Sequence, residues 1–257
     1  MTEPVRGLAD VAALFAGTPW LARAPHGDGH GVLVWPGLMA SDRSTAVLRR
    51  FLRYLGYDVS GWNLGRNRGP TDEVLSGLPQ ALMASTQRTG RPVSLVGWSL
   101  GGIYAREMAR QYPQLVRQVI TLGSPYAQTH PRQTHAELAY AQLRRWHAPV
   151  SRQPARDQIA RPIPVPSTSA YSRWDGIVSW RACIEPETGL HRNVAVRCAH
   201  LGFGVDPATL WLIADRLATP AGQQIPFRPP AWLRALYPGA LHPRAPYRRA
   251  PYPGRTR

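Results

Sequence analysis

Lysine is absent from this chain. All of its 31 basic residues are arginine, set against 15 acidic ones, for a formal net charge of +16 over 257 residues. Such an excess attracts anionic lipid, polymer or nucleic acid; the competing reading is compositional drift toward arginine, with the charge spread over the surface. No compact basic stripe with interleaved aromatics appears in the body of the chain, so a specific nucleic-acid partner is not expected. Long apolar runs are also missing, and nothing approaches the roughly 18 residues of a membrane span. The first twenty residues carry Glu3 and Asp10 and lack a basic start followed by a long apolar run, so they do not read as a secretion signal. That points to the cytoplasm.

Cysteine is scarce. Cys183 and Cys198 have no partners at metal-ligand spacing, which excludes a cysteine-based metal site. They bracket a loop of about 15 residues whose closure would contribute roughly 3 kcal/mol. A disulfide between them is the expectation, and it would suit an exported protein; two buried free thiols are the alternative. At this length one sizeable domain can bury a core without such staples. Nothing in the sequence speaks to oligomeric state.

What is present is organised around Val93-Ser94-Leu95-Val96-Gly97-Trp98-Ser99-Leu100-Gly101-Gly102. It reads as a buried strand, a serine between two glycines, and the start of a helix over Ile103–Gln111. In that setting Gly-x-Ser-x-Gly is a nucleophile elbow, whose sharp turn lifts the serine hydroxyl above the sheet edge. Gly97 and Gly101 occupy places where a Cβ would collide. The helix aims its free N–H groups at the place where an oxyanion would form.

Around it the chain alternates. Val32–Trp35 reads as a strand, Ser41 or Asp42 as the cap of a helix to about Tyr54, Tyr57–Trp62 as a strand, and Thr71 to about Thr89 as a helix. Strands over Val116–Leu122, Ser167–Tyr171 and Asn193–Arg197 and a helix over Asp206–Leu217 follow. A short helix is expected over Val11–Ala16. This rhythm predicts a parallel α/β sheet of about six strands with helices on both faces. Residues 1–219 are expected to form the domain, interrupted at 126–166 by a lid-like insertion with a helix over Glu137–Trp146. Residues 220–257 hold nine prolines, seven arginines and no acidic residue, and form no core of their own. This tail either wraps the domain through Trp232, Leu233, Leu236 and Tyr237 or stays partly disordered and touches an anionic surface weakly.

A serine needs an imidazole to take its proton and a carboxylate to orient the imidazole. Asp175 follows a strand with Gly176 behind it, and His200 follows the last strand. Asp157, Glu185 and Glu187 read as solvated surface, and the other later histidines fall in the insertion, before a strand or in the tail. Two backbone donors complete an oxyanion site: the N–H of Leu100 and that of Leu38, with Met39 as fallback, from the loop Trp35-Pro36-Gly37-Leu38-Met39.

Taken together, Pro36-Gly37-Leu38, Gly97-Trp98-Ser99-Leu100-Gly101-Gly102, Leu122-Gly123-Ser124-Pro125, Ser172-Arg173-Trp174-Asp175-Gly176-Ile177-Val178 and His200-Leu201-Gly202-Phe203 resemble the α/β-hydrolases of the bacterial lipase/esterase type, over roughly residues 31–218. The chain departs from many relatives in having Pro36-Gly37 where they carry His-Gly. The resemblance implies ester hydrolysis with Ser99, Asp175 and His200 as the triad and no metal or organic cofactor. The partner it implies is a small-molecule or lipid ester, with Tyr126, Leu138, Tyr140, Leu143 and Trp146 either capping an apolar acyl pocket or packing the insertion onto the body. Acyl transfer or thioester cleavage by the same triad, and a non-catalytic binding protein of the same fold, are the rival readings.

Overall fold

A computed structural model describes residues 19–130, 133–154 and 156–238, together with Glu3, Asp10, Ala13, Leu14 and Gly17. The helix expected over Val11–Ala16 and the tail beyond residue 238 lie largely outside these residues.

The expected strands become β1 (Gly31–Trp35), β2 (Asp58–Ser60), β3 (Val93–Trp98), β4 (Val116–Leu122), β5 (Ser167–Ser172) and β6 (His191–Val196). They form one six-stranded sheet in the order β2-β1-β3-β4-β5-β6, with every pairing parallel. Parallel neighbours need crossovers; α1 (Ala46–Tyr54), α2 (Asp72–Thr89), α3 (Leu100–Gln111) and the short α4 (Glu137–Gln142) lie in the first four, the β5–β6 crossover carries a 3-10 turn at Trp180–Cys183, and α5 (Pro207–Leu217) follows β6. The period-2 alternation of β1 shows how the sheet is covered. Val32 and Val34 join Leu48 and Leu52 of α1 and the apolar residues of α5 on one face. Leu33 and Trp35 join Leu78 and Leu82 of α2 and Ala105 and Met108 of α3 on the other. Both faces are dry, so β1 reads as a continuous apolar run rather than an alternating one, while β5 is buried with Ser167, Thr168 and Ser169 in it.

Local chemistry sets the helix ends. The Thr71 hydroxyl accepts from Val74 N at 3.2 Å to start α2, and Gly90, at φ +66°, ends it. Of the two expected caps, Ser41 stands at the N-cap of the 3-10 turn over Asp42–Thr45 without a side-chain cap bond, and Asp42 is not a cap. Its carboxylate instead accepts from Trp62 N and Asn63 N, both at 3.0 Å, so it ties the loop after β2 to the start of α1.

Helix α5 is apolar almost all round, which requires cover on its outer side. That cover is the chain after residue 219. A 3-10 helix over Ala231–Leu236 brings Trp232 edge-on to Trp211 with ring centroids 5.2 Å apart. Leu233 (2% exposed) and Tyr237 (1%) are buried in the same cluster, and the Tyr237 hydroxyl donates to Ala208 O at 2.7 Å.

The cysteines correct the expected disulfide. Cys183 and Cys198 are both free and buried. They sit in separate clusters, Cys183 with Val178 and Ala182, and Cys198 in the main core with its sulfur 3.8 Å from Thr209 Oγ1. Burial pushes both thiols well above their ordinary range, so neither is a reactive thiolate. No helix among the described residues is long and apolar enough to cross a membrane.

Two outcomes are expected. Leu233→Ala should cost about 2–4 kcal/mol in denaturant unfolding, as for other buried leucines; a change below about 0.5 kcal/mol would mean that residues 220–238 do not hold α5. Reductant should leave the melting temperature unchanged, and a thiol reagent should titrate both cysteines only after unfolding.

Candidate active site

The candidate residues collect at the carboxyl ends of the parallel strands, where the crossover loops leave the sheet. Ser99 stands between β3 and α3 at φ +53°, ψ −120°, a conformation that costs a non-glycine residue of order 1–3 kcal/mol. The neighbours explain how it is held. A Cβ on Gly97 would lie 2.4 Å from Gly101 O and from Gly102 Cα, and one on Gly101 would lie 2.5 Å from Trp35 O. Strand, turn and helix therefore approach closer than any side chain permits. Ser99 N donates to Leu122 O at 2.8 Å, which pins the turn to β4.

The loop after β1 lies directly over the serine, since a Cβ on Gly37 would be 3.1 Å from Ser99 Cβ. Asn67 holds this loop from outside. Its side-chain amide donates to Pro36 O at 2.9 Å, and its backbone carbonyl accepts from Met39 N at 2.7 Å. Met39 N is thus engaged, and the fallback donor drops out. The N–H groups of Leu38 and Leu100 have no acceptor among the described residues.

Asp175 and His200 are brought together. Asp175 Oδ1 accepts from Ile177 N at 2.8 Å and Val178 N at 2.7 Å, which fixes the carboxylate. Its Oδ2 meets His200 Nδ1 at 2.6 Å, with both side chains almost fully buried. Gly123, at φ +53°, lies beneath the pair: a Cβ there would be 3.0 Å from Asp175 Oδ2 and 3.2 Å from His200 Nδ1. Leu122, which accepts from Ser99 N, is the residue before it. Ser99 Oγ and His200 Nε2 have no hydrogen-bond partner among the described residues, which leaves the serine–histidine contact open in the free protein.

Several supports were not legible in the sequence. Trp98, beside the serine, donates its indole N–H to His200 O at 3.1 Å, and Phe203 meets the imidazole edge-on with centroids 6.1 Å apart. Ser172 Oγ donates to Cys198 O at 2.6 Å and accepts from Trp174 N at 3.0 Å, so it ties the loop of Asp175 to that of His200. Glu3 accepts from His200 N, and Asp10 from Ala199 N at 3.0 Å. Only the tryptophan inside the Gly-Trp-Ser-Leu-Gly motif could have hinted at this.

Glu185 was read as solvated and is buried. Its two oxygens accept from Arg106 of α3 at 2.8 and 2.9 Å, and Ser167 Oγ donates to it at 2.8 Å. Arg106 also lies 3.8 Å over the Tyr126 ring, whose hydroxyl is 2.5 Å from Ser169 Oγ. Tyr126 thus packs into the body rather than capping a pocket, while Leu138 and Trp146 stay exposed. The insertion docks on the loop after β2, where His147 Nε2 meets Arg68 O at 2.9 Å and Ala148 N donates to Pro70 O at 2.9 Å.

No family model and no curated protein matches the chain. Solved structures do. Aspergillus fumigatus lipase B superposes with a TM-score of 0.58 at 16% identity, over 79% of this chain. A structure of the metagenome-derived lipolytic enzymes LipS and LipT gives 0.57 at 15% identity, over 75% of this chain and 93% of the other. A putative non-heme bromoperoxidase, BpoC of Mycobacterium tuberculosis, gives 0.52 at 15%, over 75% and 92%. The chain has the α/β-hydrolase fold. It spans 56% of the length of the Aspergillus lipase. Within the α/β-hydrolase fold, the three loops that carry Ser99, Asp175 and His200 follow β3, β5 and β6, in the order expected from the sequence.

The loop after His200 also carries a buried acid. Asp206 caps α5 by accepting from Thr209 N and Thr209 Oγ1, each at 2.7 Å. Burial nevertheless pushes its carboxyl up to about 6 from 3.8. The folded state then holds this proton more tightly than the unfolded one. Its contribution to stability is full below pH 4 and is lost as pH rises from about 4 to 6. Asp206→Asn keeps an acceptor at the cap and should remove that slope, on the order of 1–3 kcal/mol, from the difference between wild-type and variant unfolding curves. Parallel curves across this window would contradict the assignment.

Proposed function

We propose that this protein is a serine hydrolase that cleaves carboxylic esters through an acyl-enzyme on Ser99. The observation that carries the reading is the Asp175–His200 hydrogen bond of 2.6 Å beside a serine held in a strained turn. With Nδ1–H given to Asp175, the imidazole presents Nε2 as the base. Nε2 takes the hydroxyl proton as Ser99 Oγ attacks the ester carbonyl. The N–H groups of Leu38 and Leu100 receive the oxyanion that develops. His200 returns the proton to the departing alkoxide, and the alcohol leaves an acyl group on Ser99. Water, deprotonated by the same imidazole, releases the acid and restores the serine.

The reading rests on protein groups alone, and no metal or organic cofactor enters it. Burial of the acid–base pair supports it further, because an imidazolium forming next to a carboxylate is stabilised more strongly away from water. The exposed apolar side chains Leu138 and Trp146 on the insertion and Met39 on the loop over the serine favour hydrophobic acyl groups.

Ser99→Ala should lower kcat on p-nitrophenyl esters by a factor of about 10³ or more while leaving the melting temperature unchanged. A series of acyl chain lengths should rise in kcat/KM from acetate toward longer chains. Residual activity near the wild-type level in the alanine variant would overturn the mechanism, and wild-type inactivity on every ester would redirect the site to acyl transfer or thioesters.

A further inference from the structure

Some arginines of the described chain find carboxylates, as Arg88 does with Asp58, Arg106 with Glu185 and Arg117 with Asp28, and others, such as Arg49 and Arg53, bond backbone carbonyls. Three on the loops that carry the acid and the base do neither. Arg173 lies 5.0 Å and Arg181 4.6 Å from the centroid of the Trp180 ring, and Arg197 lies 5.4 Å from that of Trp174. None of the three guanidinium groups makes an ion pair or a hydrogen bond among the described residues, and all three residues are exposed. Glu187 is the acid on this edge, and one of its oxygens accepts from Asn193 N at 3.1 Å.

Their position is tied to the chemistry. Arg173 and Trp174 directly precede Asp175, and Arg197 stands three residues before His200. Arg68 and Arg145 likewise lie 5.5 and 4.0 Å from the centroid of the Trp146 ring. Arg68 follows Asn67, which holds the loop over Ser99. Stacking engages the flat face of a guanidinium and leaves the N–H groups around its edge free. Those edges are the groups that bind carboxylate or phosphate in paired hydrogen bonds. The rim was invisible as a basic stripe in the sequence because its members come from segments up to 129 positions apart, from Arg68 to Arg197.

We propose that the arginine–tryptophan rim selects esters that carry an anionic group, a carboxylate or phosphate on the acyl or alcohol side. This rests on the ester hydrolysis proposed above and adds the charge of its substrate. A field of this sign concentrates anions at the site and is screened over about 8–10 Å at physiological salt.

The test compares the mono-p-nitrophenyl ester of glutaric acid with neutral p-nitrophenyl pentanoate. The wild-type ratio of kcat/KM should favour the anion by about tenfold at low salt and fall as salt is raised. Arg173→Gln/Arg181→Gln/Arg197→Gln should bring the ratio toward one, with the melting temperature recorded to verify folding. A second arm sediments Ser99→Ala protein with vesicles of phosphatidylcholine alone or mixed equally with phosphatidylglycerol. The tail is the same with and without the three rim substitutions. Binding to the anionic vesicles that the rim substitutions weaken identifies a lipid headgroup as the source of the charge; discrimination between the soluble esters without it identifies a soluble substrate. A wild-type ratio near one without rim-dependent vesicle binding, or a ratio and vesicle binding that the substitutions leave unchanged, overturns the proposal. Hydrolysis of neither ester together with rim-dependent vesicle binding would remove the ester reading and leave the anion site standing.

Discussion

The rest of the site depends on a contact that only hydrogen atoms permit. Between β3 and α3 the backbone doubles back so closely that Gly97 and Gly101 touch main-chain atoms of the helix and of β1 where a methyl group would stand. This closeness holds Ser99 at φ +53°, an angle its own side chain disfavours, and lifts its hydroxyl out of the sheet. The buried strands and the hydrogen bond from Ser99 N to Leu122 O supply the rigidity that maintains the strain. Without it the serine would relax to an ordinary helix start, and the N–H of Leu100 would lose its place beside the loop over the serine.

His200 is held by a different device. Few residues constrain His200 locally, since it opens a single 3-10 turn after the last strand. Its orientation comes mostly from contacts distant in sequence, the Asp175 carboxylate, the Trp98 indole on its carbonyl and Glu3 on its amide, with the Phe203 ring three residues on. Two of these contacts come from the motif that carries Ser99 and the loop that carries Asp175. The three chemical groups therefore share supports, and displacement of one loop is transmitted to the others.

Much of this was legible in the sequence for a physical reason. Strands buried on both faces are continuous apolar runs, and a turn that tolerates only glycine announces itself, so β1, β3, β4 and the elbow could be read with near-correct limits. The end of a strand followed by Asp-Gly or by a lone histidine likewise carries local information. What escaped depends on pairing across the fold. Glu185 has no local signal for burial, because its partner Arg106 lies 79 positions away. Cys183 and Cys198 looked like a bridge by count and spacing, yet each is enclosed by a different apolar cluster. Asp42 looked like a helix cap and serves a loop twenty residues on. The rim arginines looked like diffuse charge because the segments that bear them are far apart in sequence, from Arg68 to Arg197.

The central claim is that Ser99 is a nucleophile made reactive by the pair Asp175–His200. Its most direct measurement is the reaction with a p-nitrophenyl alkylphosphonate, whose phosphorus takes the serine oxygen and keeps it, followed by mass spectrometry of the digested protein. The account requires a single phosphonyl adduct on the peptide that carries Ser99, formed far more slowly in His200→Ala. An adduct on another residue, or one that forms at the same rate without the histidine, would contradict it.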